Sequence, residues 1–168
     1  MDSMPVTIKN AKNGKGCFAS KEFLPGQIVY QVRGKLIDTD TIHSLSGSFA
    51  DNCFRFDKRL YVSPTGEVGD YQNHSCAPNS KILKNLDGLF VCALKRINND
   101  DEITIDYSTI VADDDVIDWT IPYEMICNCG ESNCRRIIGN FSSLPKELKD
   151  RYLEANAVPV YIQKASRI

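Results

Sequence analysis

The chain has 168 residues, of which 42% are hydrophobic and 25% charged, and its formal net charge at pH 7 is -2. These values predict one soluble globular domain with a core of ordinary size. The small negative charge argues against bulk attraction to nucleic acid or an anionic membrane. No apolar run approaches the roughly 20 residues that span a bilayer. Met1–Pro5 lacks the basic and apolar regions of a signal peptide, so we expect a cytoplasmic or nuclear protein.

The first two-thirds of the chain is predicted to form short β-strands separated by turns, so the expected fold class is mainly β. Six segments carry this prediction: Gln27–Val32, Phe54–Phe56, Leu60–Val62, Lys81–Leu83, Leu89–Leu94 and Ile103–Ile105. Asp87-Gly88 lies between two apolar runs and indicates a hairpin. Thr39–Leu45 is predicted to form a short helix.

The composition changes after Tyr107. Acidic residues are concentrated in Asp113–Asp118, which we expect to form a loop. A helix is then predicted to begin after Ser142-Ser143, with Pro145 in its first turn. Its apolar face would consist of Leu144, Leu148 and Tyr152. We expect this helix to pack on the same domain, because no linker precedes it.

The seven cysteines cannot all pair in disulfides, and clustered cysteines in a reducing compartment are more often metal ligands. Cys127, Cys129 and Cys134 have a spacing that suits tetrahedral zinc, and Gly130 permits the tight turn between them. A closed structural site needs four ligands, and Cys76 is the candidate for the fourth. The alternatives are a three-cysteine catalytic zinc with an open water position, or unrelated thiols. The remaining cysteines are predicted to be small buried apolar residues: Cys17, Cys53 and Cys92.

The run Asn73–Asn79 places an amide, an imidazole, a hydroxyl and a thiol in consecutive positions, followed by a Pro-Asn turn. An ordinary core strand does not carry so many hydrogen-bonding side chains in succession. If Cys76 joins the later cysteines, a metal ties this run to the tail of the chain. The chemistry is then expected at the junction of the two segments.

These motifs resemble, in the same order, those of the SET domain, a family of S-adenosylmethionine-dependent lysine methyltransferases. The matching segments are Asn13–Ala19 (the opening Gly-x-Gly), Asn73–Asn79 (the central motif), Asp101–Tyr107 (Glu-Glu-Leu-Thr-x-Asp-Tyr) and Cys127–Arg135 (the post-SET zinc tail). The resemblance spans Val6 to Gly139. It implies small curved β-sheets with a knot-like crossing, short helices and a C-terminal helix. It divides the chain into a SET domain at 5–110, a post-SET zinc-binding segment at 111–140, and a C-terminal helix and tail at 141–168.

The resemblance also implies a set of binding residues. The backbone of Gly14, Lys15 and Gly16 would cradle S-adenosylmethionine, because glycine lets a backbone approach a ligand closely. Asn73 and His74 would bind its adenine and amino-acid ends. One structural Zn²⁺ would be held by Cys76, Cys127, Cys129 and Cys134.

Tyr107 would be the catalytic tyrosine and would also contact the cofactor, with Tyr71 as a second aromatic catalytic residue. The implied partner is a protein or peptide that carries a lysine, such as a histone. Free lysine has a pKa near 10.4 and must lose its proton before it can attack the methyl group. A narrow apolar channel and the neighbouring sulfonium charge both disfavour the ammonium form.

Several positions depart from the family pattern. Asp70 stands where a positive charge is usual, and Val32 stands where an active-site tyrosine is common. Ile82 and Ile105 are aliphatic at positions that limit methyl number, which favours di- or trimethylation. The alternative reading is a catalytically weak or inactive SET-like binding module. A small-amine methyltransferase and a zinc-knuckle nucleic-acid binder are further alternatives, and the second lacks a basic patch.

Overall fold

The computed structural model describes residues 5–44, 52–112, 116–118, 121–122 and 124–166. Its strands are β1 (Val6–Ala11), β2 (Gly14–Ala19), β3 (Ile28–Val32), β4 (Leu36–Asp38), β5 (Phe54–Asp57), β6 (Leu60–Val62), β7 (Asn73–His74), β8 (Ser80–Asn85), β9 (Gly88–Ala93), β10 (Thr104–Ile105), β11 (Val116–Asp118), β12 (Ile121–Pro122), β13 (Met125–Ile126) and β14 (Ile137–Ile138). Its α-helices are α1 (Thr39–Ser44), α2 (Lys146–Glu154) and α3 (Val160–Ala165). Short 3-10 turns cover Val68–Tyr71, Tyr107–Thr109 and Phe141–Ser143. The prediction of a mainly β fold built from small sheets is confirmed.

The strands form two three-stranded antiparallel sheets, ordered β3-β9-β8 and β4-β6-β5, and four two-stranded pairs. The predicted β8–β9 hairpin is present, with Asn85 paired to Gly88 across the turn. The predicted short helix is also present as α1, and Leu45 lies outside the described residues. No helix in the described ranges is long and apolar enough to cross a membrane.

The core lies between these small sheets. The side chains of Ile82, Val91, Ile103 and Ile105 are at most 1% exposed and belong to one cluster of buried apolar residues. Burying apolar area of this kind stabilises a fold by about 25 cal/mol per Å². The alternating burial along β8 places Ile82 in this core, so the hydrophobic pattern fixes which face of the sheet is inside.

Strands β7 and β10 pair in parallel, with Asn73 opposite Thr104 and His74 opposite Ile105. A parallel pair needs a crossover connection between its strands, and the β8–β9 hairpin lies in that connection. This pairing brings the central motif next to the segment that ends in Tyr107. The two motifs are therefore adjacent in the fold, and the knot-like crossing stays a prediction.

Strands β1 and β2 were not predicted, because only Val6 of β1 is buried and the apolar pattern is correspondingly weak. The two strands form a hairpin in which Ala11 pairs with Gly14. Gly14 has a φ of +89° at the end of the turn, a conformation that costs glycine little and other residues more. The opening motif is therefore a β-hairpin.

Three smaller expectations are corrected by the structure. Pro145 precedes α2 and does not lie in its first turn, because a residue at the N-cap needs non-helical backbone angles. Val116–Asp118, expected in an acidic loop, forms β11 and pairs with β12, whereas residues 113–115 lie outside the described part. Cys53 is half-buried before β5 and not a core residue, while Cys17 and Cys92 are buried as predicted.

The C-terminal helices have a core of their own. Its fully buried members include Phe141 and Ile162. Tyr152 of α2 also belongs to it, and Leu148 packs against it from the predicted face of α2, whereas Leu144, also a member, lies before the helix. The structure adds α3, whose short apolar turn after Pro159 was not predicted. The division at 5–110, 111–140 and 141–168 stays a prediction.

Candidate active site and cysteine cluster

Asn73 is held against the opening hairpin. Its side-chain Nδ2 donates to the carbonyl of Lys15 at 3.0 Å and to Oε1 of Glu102 at 2.7 Å. A Cβ atom at Gly16 would overlap with both the Glu102 carboxylate and the Asn73 amide. Glycine at position 16 is therefore required for the close approach of β2 to Asn73.

His74 of the central motif is 8% exposed and lies against the segment that ends in Tyr107. Its Nδ1 accepts a hydrogen bond from the backbone N–H of Tyr107 at 3.1 Å, and its Nε2 lies 3.3 Å from Sγ of Cys76. Because Nδ1 is an acceptor, the proton of the neutral ring is on Nε2 and points at the thiol. Burial lowers the pKa of His74 to about 4 and outweighs the Asp106 carboxylate 3.5 Å away. The imidazole is neutral at pH 7.

Tyr107 begins the 3-10 turn after β10. Its hydroxyl donates to the backbone carbonyl of Gln72 at 2.5 Å. Its ring lies 5.3 Å from the His74 ring, centre to centre, with the two planes tilted by 57°. Contacts at both ends of the side chain therefore set the position of the predicted catalytic hydroxyl.

Asp106, immediately before Tyr107, joins three parts of the chain. Its side chain is 0% exposed and accepts hydrogen bonds from Nη2 of Arg135 and from the hydroxyl of Tyr152, each at 2.7 Å. It also caps the 3-10 turn by accepting from the N–H of Ser108 at 3.0 Å. A buried carboxylate is stable only with such partners. The cysteine segment (residues 124–140) and α2 are thus both anchored at Asp106, the residue beside Tyr107.

Two adjoining cavities open at this place, with volumes of about 250 and 330 Å³. They share Asn13, Asn73, His74 and Cys129 in their lining, and the first also contains Tyr107. The amide of Asn13, at the tip of the opening hairpin, donates to the carbonyl of Asn128 at 3.4 Å. The hairpin and the cysteine segment therefore meet at the cavity wall.

The cysteine cluster forms the other side of His74. One ligand atom from each of His74, Cys76, Cys127 and Cys129 lies within 4.8 Å of the other three. Sγ of Cys76 is 3.7 Å from Sγ of Cys127. A tetrahedral zinc site with Zn–S bonds of about 2.3 Å requires sulfur atoms about 3.8 Å apart. The spacing of this pair therefore fits a zinc ion.

Cys134 lies at the edge of this group, with its Sγ 3.7 Å from the carbonyl oxygen of Cys127. It packs against the buried cysteines without reaching the mutual distance that the other four donors share. Burial raises the pKa of Cys76 to about 11 and also raises that of Cys127. Thiols buried in this way become thiolates when a cation neutralises their charge, so the donor set also fits a metal.

Other predicted residues lie further away. Tyr71 packs on the main core beneath the ammonium group of Lys15, which lies 5.7 Å from its ring centre, and Tyr71 lines neither cavity. Asp70 closes the preceding turn by accepting from the N–H groups of Thr65 and Gly66 at 2.9 and 2.5 Å. The departure at position 70 therefore has a local structural reason. Val32 is buried in the main core.

Sequence reasoning missed several residues around Tyr107: Gln72, Glu102, Asp106, Arg135 and Tyr152. Three of them lie next to predicted residues, since Gln72 lies between Tyr71 and Asn73, Asp106 precedes Tyr107 and Arg135 follows Cys134. Tyr152 was predicted to lie on the apolar face of the helix, and no partner was predicted for its hydroxyl. Buried polar side chains need partners, and that rule alone does not identify them.

The arrangement above is that of a known protein class. The SET domain family matches residues 14–108, more than half of the chain, and the chain belongs to this family. SET methyltransferases use S-adenosylmethionine as their methyl donor.

Three relatives represent the similarity. The H3 lysine-36 specific histone-lysine N-methyltransferase of Yarrowia lipolytica is 29% identical over 144 residues, covering 79% of this chain and 18% of that protein. The histone-lysine N-methyltransferase trithorax of Drosophila virilis is 31% identical over 137 residues, covering 75% and 3%. Histone-lysine N-methyltransferase 2B of Homo sapiens is 29% identical over 142 residues, covering 77% and 5%. The chain thus spans less than a fifth of each of these relatives.

Proposed function

We propose that this chain transfers the methyl group of S-adenosylmethionine to the side-chain amine of a lysine in a protein. The observation that carries the proposal is the position of Tyr107. It lies in the wall of a cavity beside Asn73 and His74, directly after the parallel pair that joins the two SET motifs. The relatives named as histone-lysine N-methyltransferases support a histone tail as the substrate, and the nucleus as the location.

The residues around the cavity fit the cofactor. Asn73 and His74 offer polar groups at the wall, and Gly16 leaves β2 close to the Asn73 amide. Gly14, Lys15 and Gly16 contribute backbone groups near the same place, since the Lys15 carbonyl already accepts from Asn73. When bound, S-adenosylmethionine supplies a methyl group attached to a positively charged sulfur.

The chain's own residues orient the amine and remove its water. The Tyr107 oxygen is proposed to accept an N–H of the lysine amine while its own proton stays bonded to the Gln72 carbonyl, so the amine lone pair remains free to attack the methyl group. The ammonium form loses its proton to solvent before transfer, because an apolar surround and a neighbouring cation both disfavour it. His74 is neutral and does not repel the cofactor. Orientation of the two reactants supplies much of the rate enhancement. Tyr71, which lies on the core side, is proposed to support this wall.

Zn²⁺ is proposed to be structural, with Cys76, Cys127, Cys129 and Cys134 as its ligands. His74 is the competing fourth donor by distance. Its Nε2 carries a proton when Nδ1 accepts from Tyr107, and a protonated ring nitrogen does not bind a metal. We therefore assign His74 as a hydrogen-bond donor to Cys76, and Cys134 as the fourth ligand. When bound, zinc would hold the cysteine segment against the cavity.

The proposal is tested with labelled S-adenosylmethionine, core histones and a cell lysate, followed by mass spectrometry of the labelled lysine. Tyr107→Phe is expected to lower methyl transfer about a hundredfold, the usual effect of removing one positioned hydrogen-bonding group, while the cofactor still binds. Tyr161→Phe is the matched control, because it removes another buried hydroxyl that donates to a backbone carbonyl, that of Arg55 at 2.6 Å. Full activity of Tyr107→Phe would contradict the assignment.

The second candidate function is a SET-like binding module without catalysis. It is favoured by the buried aliphatic side chain of Val32, at a position where the family commonly uses an active-site tyrosine. Isothermal titration of the zinc-loaded protein with S-adenosylmethionine separates the two. Absence of binding would favour the module, whereas binding together with methyl transfer supports the enzyme.

A further inference from the structure

The side chain of Gln72 is an unusual component of the wall behind Tyr107. It is 5% exposed and lies between the main core and β7. Its Oε1 accepts from the hydroxyl of Tyr30 at 2.5 Å, and its Nε2 donates to the carbonyls of Ile103 at 2.7 Å and Asn73 at 3.2 Å. Every polar atom of this buried amide therefore has a partner.

These partners also fix which way the amide points. Carbonyl oxygens only accept hydrogen bonds, so the nitrogen of Gln72 must face Ile103 and Asn73 and its oxygen must face Tyr30. A flipped amide would place its oxygen against two carbonyl oxygens. The carbonyls of Ile103 and Asn73 thus select one orientation, and the hydroxyl of Tyr30, a residue that is itself 7% exposed, holds it by donating to Oε1.

The backbone of the same residue carries the contact to Tyr107. The carbonyl of Gln72 accepts the Tyr107 hydroxyl at 2.5 Å. Gln72 lies between the 3-10 turn Val68–Tyr71 and the first residue of β7, so its carbonyl belongs to the peptide that leads into the parallel pair. Its own N–H makes a long bond of 3.3 Å to Gly69. The strand pairing of Asn73 restrains one side of this carbonyl, and the three side-chain hydrogen bonds of Gln72 restrain the other.

We infer that Gln72, locked by the hydroxyl of Tyr30, is a positioning residue that sets where the Tyr107 hydroxyl stands during methyl transfer. This inference rests on the proposed function, because it assigns Gln72 a part in that reaction. Gln72 acts through its carbonyl and through Asn73. Its amide faces the core and not the substrate.

The test compares Gln72→Met, which keeps the length of the side chain and removes the amide, with Tyr30→Phe, which removes only the locking hydroxyl. Displacements well below 1 Å at a reacting group change rates strongly, and we expect kcat to fall about tenfold in Gln72→Met and about threefold in Tyr30→Phe. KM for S-adenosylmethionine should stay within about threefold, since the polar groups at the cofactor end remain.

Gln163→Met and Tyr161→Phe are matched controls. Gln163 donates from Nε2 to the carbonyl of Val158 at 2.8 Å, and Tyr161 donates to that of Arg55, both in the C-terminal helices. Each control removes the same chemical group far from the cavity. Their kcat should equal that of the unmodified chain at a temperature where all variants are folded.

A second measurement reports the position of Tyr107 without any reaction. Tyrosine labelled with ¹³C at Cζ gives one resonance for Tyr107, identified by its absence in Tyr107→Phe. We expect this resonance to shift in Gln72→Met and Tyr30→Phe and to stay in place in both controls.

The outcomes separate the two proposals. An unmoved Tyr107 resonance with unchanged kcat would overturn the inference about Gln72, even if the chain is an active methyltransferase. A chain that methylates no protein overturns the proposed function. In that case the resonance alone decides whether Gln72 positions Tyr107, and a shift would still support the geometry.

Discussion

Two segments follow the SET motifs, and they are held to the rest of the molecule in different ways. The C-terminal segment at 141–166 buries a cluster that includes Phe141 and Ile162, both 0% exposed. The cysteine segment at 124–140 has one buried aliphatic residue, Ile138, together with one buried cysteine, Cys127. Its other large apolar side chains are exposed, with Ile126 at 79% and Ile137 at 53%.

This difference indicates which part of the proposed site depends on added bonds for its stability. Apolar burial stabilises the helices by themselves, whereas a segment with so small a core depends on added bonds, as small metal-binding segments usually do. Cys129 and Asn128 of the cysteine segment line the cavity beside Tyr107. The proposed cofactor site is therefore formed partly by the cysteine segment, which depends on added bonds more than the helices do.

Metal removal is the strongest way to test this comparison. With a chelator, or in Cys127→Ser, we expect the cysteine segment to detach and the Kd for S-adenosylmethionine to rise at least about tenfold, because the proposed zinc would supply most of this segment's folding free energy. The helices and the SET core should keep their melting transition. Metal analysis, cofactor titration and limited proteolysis between residues 124 and 140 measure the three effects.

Cys53→Ser is the control for metal removal, since Cys53 is half-buried and lies outside the cluster. It should retain zinc and cofactor affinity. If chelation leaves cofactor affinity unchanged, Cys76 does not couple the metal to the cavity and the proposed ligand set is wrong.

A cavity in the helical segment should have the opposite pattern. Phe141→Ala removes a fully buried ring and is expected to lower the free energy of unfolding by about 3–5 kcal/mol. Zinc content and the Kd for S-adenosylmethionine should not change in the remaining folded protein, as measured by denaturant unfolding and titration. Loss of zinc in this variant would mean that the two segments are not independent.

Much of this organisation could be predicted from the sequence, for identifiable reasons. The position of Asp87-Gly88 between two apolar runs predicted the β8–β9 hairpin, and the order of the motifs predicted the family. The β1–β2 hairpin was missed because Val6 is the only buried residue of β1. Local pattern is informative where one face of a strand is buried and uninformative where it is not.

The candidate site was predictable only in part. The motifs named Asn73, His74 and Cys76, which the structure brings together, although their roles stay predictions. The partners of Asp106 could not be found in this way, because Arg135 and Tyr152 lie 29 and 46 residues away in the chain. No periodic pattern connects residues across such separations, and only the fold determines that they meet.

Both segments donate hydrogen bonds to Asp106, so substitutions around this carboxylate give the smallest and most specific test. Arg135→Met removes the cation from a fully buried carboxylate, which should lower the free energy of unfolding by about 2–3 kcal/mol. Tyr152→Phe removes one hydrogen bond to the same carboxylate and should lower the free energy of unfolding by about 1 kcal/mol.

Adding Asp106→Asn to Arg135→Met should recover part of the lost stability, because no unpaired charge then remains buried. Denaturant unfolding of the two single variants and of the double variant Arg135→Met/Tyr152→Phe gives the interaction energy between Arg135 and Tyr152. A value near zero would mean that the cysteine segment and α2 bind Asp106 independently, whereas a value above about 0.5 kcal/mol would show that this carboxylate couples the metal-dependent segment to the self-sufficient one.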